Sequence, residues 1–491
     1  MSKSIRALAF DCGSSNGRII AGDFDGKRLK LTELSRFPNA QEEMGGTRYW
    51  NVMRMWQELK LGIRNAASKG KFDSISTDSW GCDFALLRPD GRLLQDVIGY
   101  RDDSREQDLA EANSLFKSGE LYQKAGVYYF SNSVVPVLRA VIKKFPRFLD
   151  YAEVLLNLPD FFNYLLSGEK CGEFTIASTN QLLDPRTGQY HREVLETLGL
   201  PERIFLPPVL SGHILGKTKK SLEQDLDIRG VKVIATCGHD SAAALAAVPA
   251  ADDGDWICVS SGSWSVLMCE IDKPLPDPGE QYRGFLHEGA YGGKYRLVYN
   301  QIGLWLIQEL RRSFGGISFD AMDSLAEKVP AYKSIIIPQH YRVNVPDLPG
   351  SMREYCRKTN QPVPETEGEL IRCAYDSAAL NSAIIIGKME KITGRVFKRI
   401  HVVSGGTHSS LMLQGIADIT GKEVVAGPQE AAAIGNILVQ LIALGELSSL
   451  NEGRRLVKEA FAARSYFPSA SYAPDLEYYT GEMYNKVEMV L

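Results

Sequence analysis

Two stretches of the chain follow one pattern, and that repetition constrains the fold more than any other feature. Ile5-Arg6-Ala7-Leu8-Ala9-Phe10 turns through Asp11-Cys12-Gly13-Ser14-Ser15-Asn16-Gly17-Arg18 into Ile19-Ile20-Ala21-Gly22. In the second half, Trp256-Ile257-Cys258-Val259 turns through Ser260-Ser261-Gly262-Ser263-Trp264-Ser265 into Val266-Leu267-Met268. An apolar run, a short Gly/Ser loop and a second apolar run predict a β-hairpin in each place. Backbone N–H groups at a glycine-rich turn form a concave nest that suits phosphate. One such loop constrains little. Two, one per half, predict a duplicated chain that grips a polyphosphate from both sides.

At 491 residues, two domains with separate cores are expected. A boundary near residues 249–254 divides the chain into 1–248 and 249–491. The net charge of −4 is dispersed, and no basic block points to nucleic acid or an anionic membrane. No apolar run approaches the roughly 20 residues of a membrane helix. A cytoplasmic protein acting on small molecules, as a monomer or small homo-oligomer, is therefore expected. The cysteines (Cys12, Cys82, Cys171, Cys237, Cys258, Cys269, Cys356, Cys373) contain no Cys-x-x-Cys pair, which argues against zinc. They read as small buried apolar residues in a reducing compartment. Cys356 and Cys373 flank one connection and are the one pair placed to bridge.

The texture between the two hairpins is mixed. Residues 29–37 and 73–78 read as strands, 134–148 and 151–166 as helices, 231–235 as a strand, and 241–247 as an Ala-rich helix. The second half offers a strand at 295–298 and helices at 301–314, 367–393 and 431–444. Strands are also expected at 400–403 and 422–425. Gly212-His213-Ile214-Leu215-Gly216-Lys217-Thr218 is one residue too short between its glycines for a Walker A loop and reads as a surface turn.

Three places carry chemistry. Asp11 lies where the first strand meets the first loop. A carboxylate beside a phosphate nest calls for an intervening cation, such as nucleotide-borne Mg²⁺ touched through water; alternatively, Asp11 caps its own turn. Asp240 follows a strand and stands at the N-cap position of the Ala-rich helix, where capping alone would explain it. Next to His239 at the domain boundary, it also suits a carboxylate that takes a proton from a substrate hydroxyl, since phosphoryl transfer asks for positioning more than for a strong base. Asp78-Ser79-Trp80-Gly81-Cys82-Asp83-Phe84 sets two carboxylates, an indole and a glycine in one turn. It reads as a sugar site, or as a core Trp flanked by turn-forming Asp residues. A glycosidase carboxylate pair would leave the two loops unexplained.

These residues resemble the FGGY carbohydrate kinases, of the actin/hexokinase/Hsp70 superfamily, over nearly the whole chain. Phe10 to Arg18 is similar to the family's first phosphate motif, Ser260 to Ser265 to its second, Val402-Val403-Ser404-Gly405-Gly406 to its adenosine motif, and Gly238-His239-Asp240 to its catalytic segment. The resemblance implies two duplicated RNase H-like α/β domains around a central cleft that closes on ATP, Mg²⁺ and a ketose, with Asp240 as general base. It places Gly81, His239, Asp240 and Ser241 on the sugar, beside Trp80 and Asp83. It places Ser14, Ser15, Asn16, Gly17, Arg18, Ser263, Asn300, Gln308, Gly405 and Gly406 on the nucleotide. Three further stretches, Thr77 to Leu87, Asn300 to Gln308 and Val425 to Ala431, imply phosphorylation of L-rhamnulose at its 1-hydroxyl. Another ketose such as L-fuculose or xylulose is the alternative, and a non-catalytic nucleotide sensor of the same fold the remote one. Ser263, Ser404 and Ser241 stand where the family more often has Thr, Gly and Thr; none of these changes removes a catalytic group. Phe130-Ser131-Asn132-Ser133 does not match the family pattern.

Overall fold

A computed structural model describes residues 4–102, 106–117, 119–127, 133–251, 254–262, 264–275, 284–338 and 345–469. Ser263 and Phe130 to Asn132 lie outside the described residues. The chain forms two compact units, each made of three stretches. The first comprises Met1–Asp252, Glu270–Leu297 and Glu430–Ala460; the second comprises Asp253–Cys269, Val298–Gln429 and Phe461–Leu491.

In chain order the first unit begins with β1 (Ile5–Cys12), β2 (Asn16–Phe24) and β3 (Leu29–Pro38), then α1 (Val52–Ser68) and β4 (Ser74–Ser79). It continues with α2 (Leu158–Ser167), the short α3 (Phe174–Ala177), β5 (His213–Lys217), β6 (Lys232–Ala235) and α4 (Asp240–Ala246). The second unit carries β7 (Trp256–Ser261), β8 (Trp264–Ile271) up to Cys269, β9 (Tyr295–Ile302) from Val298, α5 (Trp305–Ser313), α6 (Glu367–Thr393), β10 (Arg399–Val403), α7 (Ser410–Thr420) and β11 (Glu423–Ala426); the remaining residues of β8 and β9 belong to the first unit. The chain then returns to the first unit for α8 (Ala431–Ala443) and α9 (Leu450–Ala460), and β12 (Arg464–Tyr466) closes the second.

The first sheet has the order β5-β6-β4-β1-β2-β3, with β6, β4 and β1 parallel and the two hairpin partners antiparallel. In the second sheet, β9-β8-β7-β10-β11-β12 are successive neighbours, with β7, β10 and β11 parallel. Each hairpin thus opens its sheet in the same relation to the parallel strands. The duplication foreseen from the two loops is a duplication of whole α/β layers. β1 is buried along nearly its full length, as a strand flanked on both sides and covered on both faces must be. α8 is apolar on all sides and buried from Ala431 to Leu441, the signature of a helix with no solvent face.

α6 spans the expected 27 residues because both ends are signalled. Thr366 and Glu369 form a capping box, and Gly394 takes the left-handed conformation past the last turn. Elsewhere the pattern misleads. Residues 151–166 are not one helix: Val154–Asn157 pairs as a strand with Phe84–Leu87, and α2 begins only after it, with Pro159 in its first turn. A short apolar run satisfies either period, and strand pairing decides it. Gln301 and Ile302 close β9, and α5 opens only at Trp305. The Walker-like segment is edge strand β5, with Leu215 its buried residue, and not a turn. All eight cysteines are free thiols, and those of Cys356 and Cys373 share a hydrogen bond rather than a disulfide. Among the described residues, no helix is long and apolar enough to cross a membrane.

Candidate active site

Parallel pairing of β1 with β4 sets Asp11 beside Asp78, and a bridge from Ser79 to His239 brings the end of β6 alongside. Three carboxylates of the first unit, those of Asp11, Asp78 and Asp240, therefore share one neighbourhood. Their environments differ. Asp11 is 2 % exposed and paired with Arg18 at 2.8 Å; the other arm of Arg18 meets Glu430 at 2.6 Å, just ahead of α8. Asp11 is thus engaged by a cation rather than by its own turn. Arg18, expected on the nucleotide, is held between two carboxylates.

Asp78 is fully buried; Asn436 of α8 donates to its Oδ2 at 2.7 Å. Burial foremost, and then the charge of Asp11, push the Asp78 carboxyl well above the usual range. Folding therefore retains a proton that an ordinary aspartate releases near pH 4. This stabilisation is complete below the unfolded-state value and is lost as pH rises through the native one. Asp78→Asn is expected to flatten that part of the stability profile. Melting curves from acid to neutral pH test it; parallel profiles for parent and variant would refute it.

Asp240 is the open member of the three, with 33 % of its side chain exposed. It is the first residue of α4, and the N-cap position belongs to His239. Desolvation raises the Asp240 pKa, as does the charge of Asp11, while His239 works in the opposite direction. The result is a carboxylate more basic than a surface aspartate.

Behind Asp240 lies a charged cluster that the sequence reading missed. Arg296 is fully buried and pairs with Glu288 at 2.6 Å. Arg296 Nη2 lies 2.5 Å from His239 Nδ1, and its Nη1 donates to Ser241 Oγ at 2.8 Å. The His239 and Ser241 side chains meet at 3.1 Å. Burial pushes the Glu288 carboxyl up, but Arg296 and His239 outweigh it and hold it below the usual range. A lone arginine inside the apolar run of β9 was the available signal, because such a charge is buried only when paired.

Trp80 and the unforeseen Trp50 lie with ring centroids 4.4 Å apart, and both indole N–H groups donate to Asp83 Oδ2, at 2.6 and 2.5 Å. Asp83 therefore orients two buried rings. Gly81 and Cys82 are the partly open residues of this turn. A Cβ on Gly81 would come within 3.1 Å of the Thr179 side chain.

In the second unit, the other loops converge. Gly262 N–H donates to the Trp264 carbonyl at 2.8 Å and closes the hairpin, and Leu304 N–H donates to the Gly262 carbonyl at 2.9 Å. A Cβ on Gly303 would press on Gly262 and Ser265, and one on Gly406 would overlap the Ser261 side chain. Ser404, at φ 67°, and Ser260 share a hydroxyl contact of 3.3 Å. The second phosphate-type loop and the Gly405-Gly406 turn thus pack directly against each other. Asn300, near the end of β9, is exposed, and Gln308 on α5 is partly exposed. In the first unit, Ser14 and Ser15 stand in the turn between β1 and β2, Asn16 accepts from Arg36, and Gly17 lies against the Phe37 ring.

Residues 6–247 match the model of the N-terminal domain of the FGGY family of carbohydrate kinases, and residues 257–444 that of its C-terminal domain. The chain is 34 % identical to the rhamnulokinase of Bacteroides thetaiotaomicron, covering 96 % of this chain and 97 % of that one. It is 33 % identical to the rhamnulokinase of Halalkalibacterium halodurans, covering 94 % and 98 %. The ligand-bound xylulose kinase of Lactobacillus acidophilus has the same fold, with a TM-score of 0.82 at 17 % identity over 99 % of this chain and 97 % of that one.

Proposed function

Because the chain belongs to the FGGY family of carbohydrate kinases, we propose that it transfers the γ-phosphoryl group of ATP to the 1-hydroxyl of L-rhamnulose, with Asp240 as general base. Similarity to rhamnulokinases over nearly the full length supports this substrate. The observation that carries the mechanism is that, of three neighbouring carboxylates, Asp240 alone is open while Asp11 and Asp78 are buried.

In this reading the first unit takes the sugar. Gly81 offers backbone groups, His239 and Ser241 offer side chains fixed by Arg296, and the Trp50–Trp80–Asp83 cluster keeps the turn in shape. The closely packed loops of the second unit take the nucleotide, through Ser263, Asn300, Gln308, Gly405 and Gly406. Ser14 to Arg18 of the first unit are assigned to phosphate as well. Asp240 accepts the proton of the 1-hydroxyl as that oxygen bonds to phosphorus and the bond to the departing ADP breaks.

In this reading Mg²⁺ arrives on the nucleotide; among the described residues, no group of three or more His, Cys, Asp and Glu is placed to hold a metal ion. Such a Mg²⁺ would neutralise charge on the transferring group. Asp11, fixed by Arg18, would meet its water shell. ADP release measured with L-rhamnulose, L-fuculose and xylulose tests the substrate. The expected result is the highest kcat/KM for L-rhamnulose, with phosphorus NMR showing a 1-phosphate. A higher value for another ketose would reassign the sugar, and ATP binding without product from any ketose would point to a sensor.

A further inference from the structure

Asp240 is only as well placed as the peptide that delivers it, and that peptide is clamped by residues far away in sequence. Gly238 N–H donates to Glu173 Oε2 at 3.0 Å, the Gly238 carbonyl accepts from Ser79 N–H at 2.9 Å, and His239 N–H donates to Thr175 Oγ1 at 3.3 Å. Glu173 is 1 % exposed. Its Oε2 also accepts from Thr175 N–H at 2.9 Å, from the Thr175 hydroxyl at 2.6 Å and from Ile176 N–H at 3.2 Å; its Oε1 accepts from the Ser211 hydroxyl at 2.6 Å.

All five partners donate to the Glu173 carboxylate. The Thr175 hydroxyl has one proton. That proton goes to Glu173, and the hydroxyl oxygen is left to accept from His239 N–H. Gly238 is part of the same device. A Cβ there would come within 3.0 Å of the Ile176 side chain and 3.2 Å of Glu173 Oε2, so any larger residue would crowd α3. A buried carboxylate is costly, and an apolar replacement of similar volume is often as stable. Here its donors come from three separate segments, at Thr175–Ile176, Ser211 and Gly238, and the last runs directly into Asp240.

We propose that Glu173 and Thr175 are positioning residues for Asp240. Glu173 orients the Thr175 hydroxyl, and the pair fixes the Gly238-His239 peptide so that the Asp240 carboxylate stays within reach of the acceptor hydroxyl. The inference rests on Asp240 as general base. Neither residue touches substrate: Thr175 is fully buried, and Glu173 nearly so.

Steady-state kinetics of Thr175→Val, Thr175→Ser and Glu173→Gln, beside Asp240→Asn, test it. Thr175→Val keeps the volume and loses the hydroxyl. It is expected to lower kcat about 10- to 100-fold, the scale of a displaced catalytic group, with KM for both substrates nearly unchanged. Thr175→Ser should recover most of the loss, because it restores the hydrogen bond. Glu173→Gln should lower kcat as Thr175→Val does, and calorimetric ketose binding verifies that each variant is folded. Parent-like kcat in Thr175→Val, or equal losses in Thr175→Val and Thr175→Ser, would overturn the positioning role while Asp240→Asn stays inactive. Parent-like turnover of Asp240→Asn would instead overturn the general base, and the positioning role with it.

Discussion

Asp240→Asn is expected to lower kcat by roughly 10² to 10⁴-fold, the usual contribution of a positioned general base. Ketose affinity should stay close to the parent's. The substitution is nearly isosteric and leaves His239, Ser241, Arg296 and Glu288 in place, so the sugar contacts persist. It removes a carboxylate whose pKa is raised in the fold, chiefly by desolvation. An acid with a raised native pKa contributes stability that is present below its unfolded value and lost as pH climbs through the native one. The variant is therefore expected to melt no lower than the parent at neutral pH. That separates lost chemistry from lost structure. Turnover within a few-fold of the parent, measured by ADP release with saturating sugar, would sink the assignment; a variant that neither turns over nor binds ketose would place Asp240 in binding instead.

Gly435→Ala is the substitution expected to cost most in stability. On helix propensity alone, alanine would gain about 1 kcal/mol over glycine in the middle of α8. Packing reverses the sign. A Cβ at Gly435 would overlap the backbone carbonyl of Ala243 on α4, and backbone has no rotamer by which to yield. Overpacking of this kind costs about 1–3 kcal/mol, and more where neither side can relax. The helix displaced is the one that begins with Asp240, so a fall in kcat should accompany the fall in unfolding midpoint. Urea titration read by circular dichroism measures the first effect, and steady-state kinetics the second. An unchanged or higher midpoint would show that the two helices slide apart freely.

Much of the site was legible because its residues are local. The two hairpin loops, Gly238-His239-Asp240 and Ser404-Gly405-Gly406 are each contiguous, and each follows a strand whose apolar run is visible. The partners were not legible. Trp50 lies far from Trp80 in sequence, Glu173 far from Gly238, and Asn436 farther still from Asp78, and no local period connects them. The strand at Val154–Asn157 was hidden for a related reason: four apolar-rich residues fit either period until Phe84–Leu87 pairs with them.

By itself the sequence determined the duplicated α/β plan, the position of each hairpin and the candidate base, because glycine turns and apolar runs act over a few residues. Only the tertiary structure decided which charges face one another. It drew Glu430–Ala460 back into the first unit, so that Glu430 meets Arg18 and Asn436 meets Asp78. It buried Arg296 against Glu288, and it left Asp240 open while Asp11 and Asp78 are closed. Charge pairing and desolvation depend on distance in space, and a one-dimensional pattern does not carry that distance.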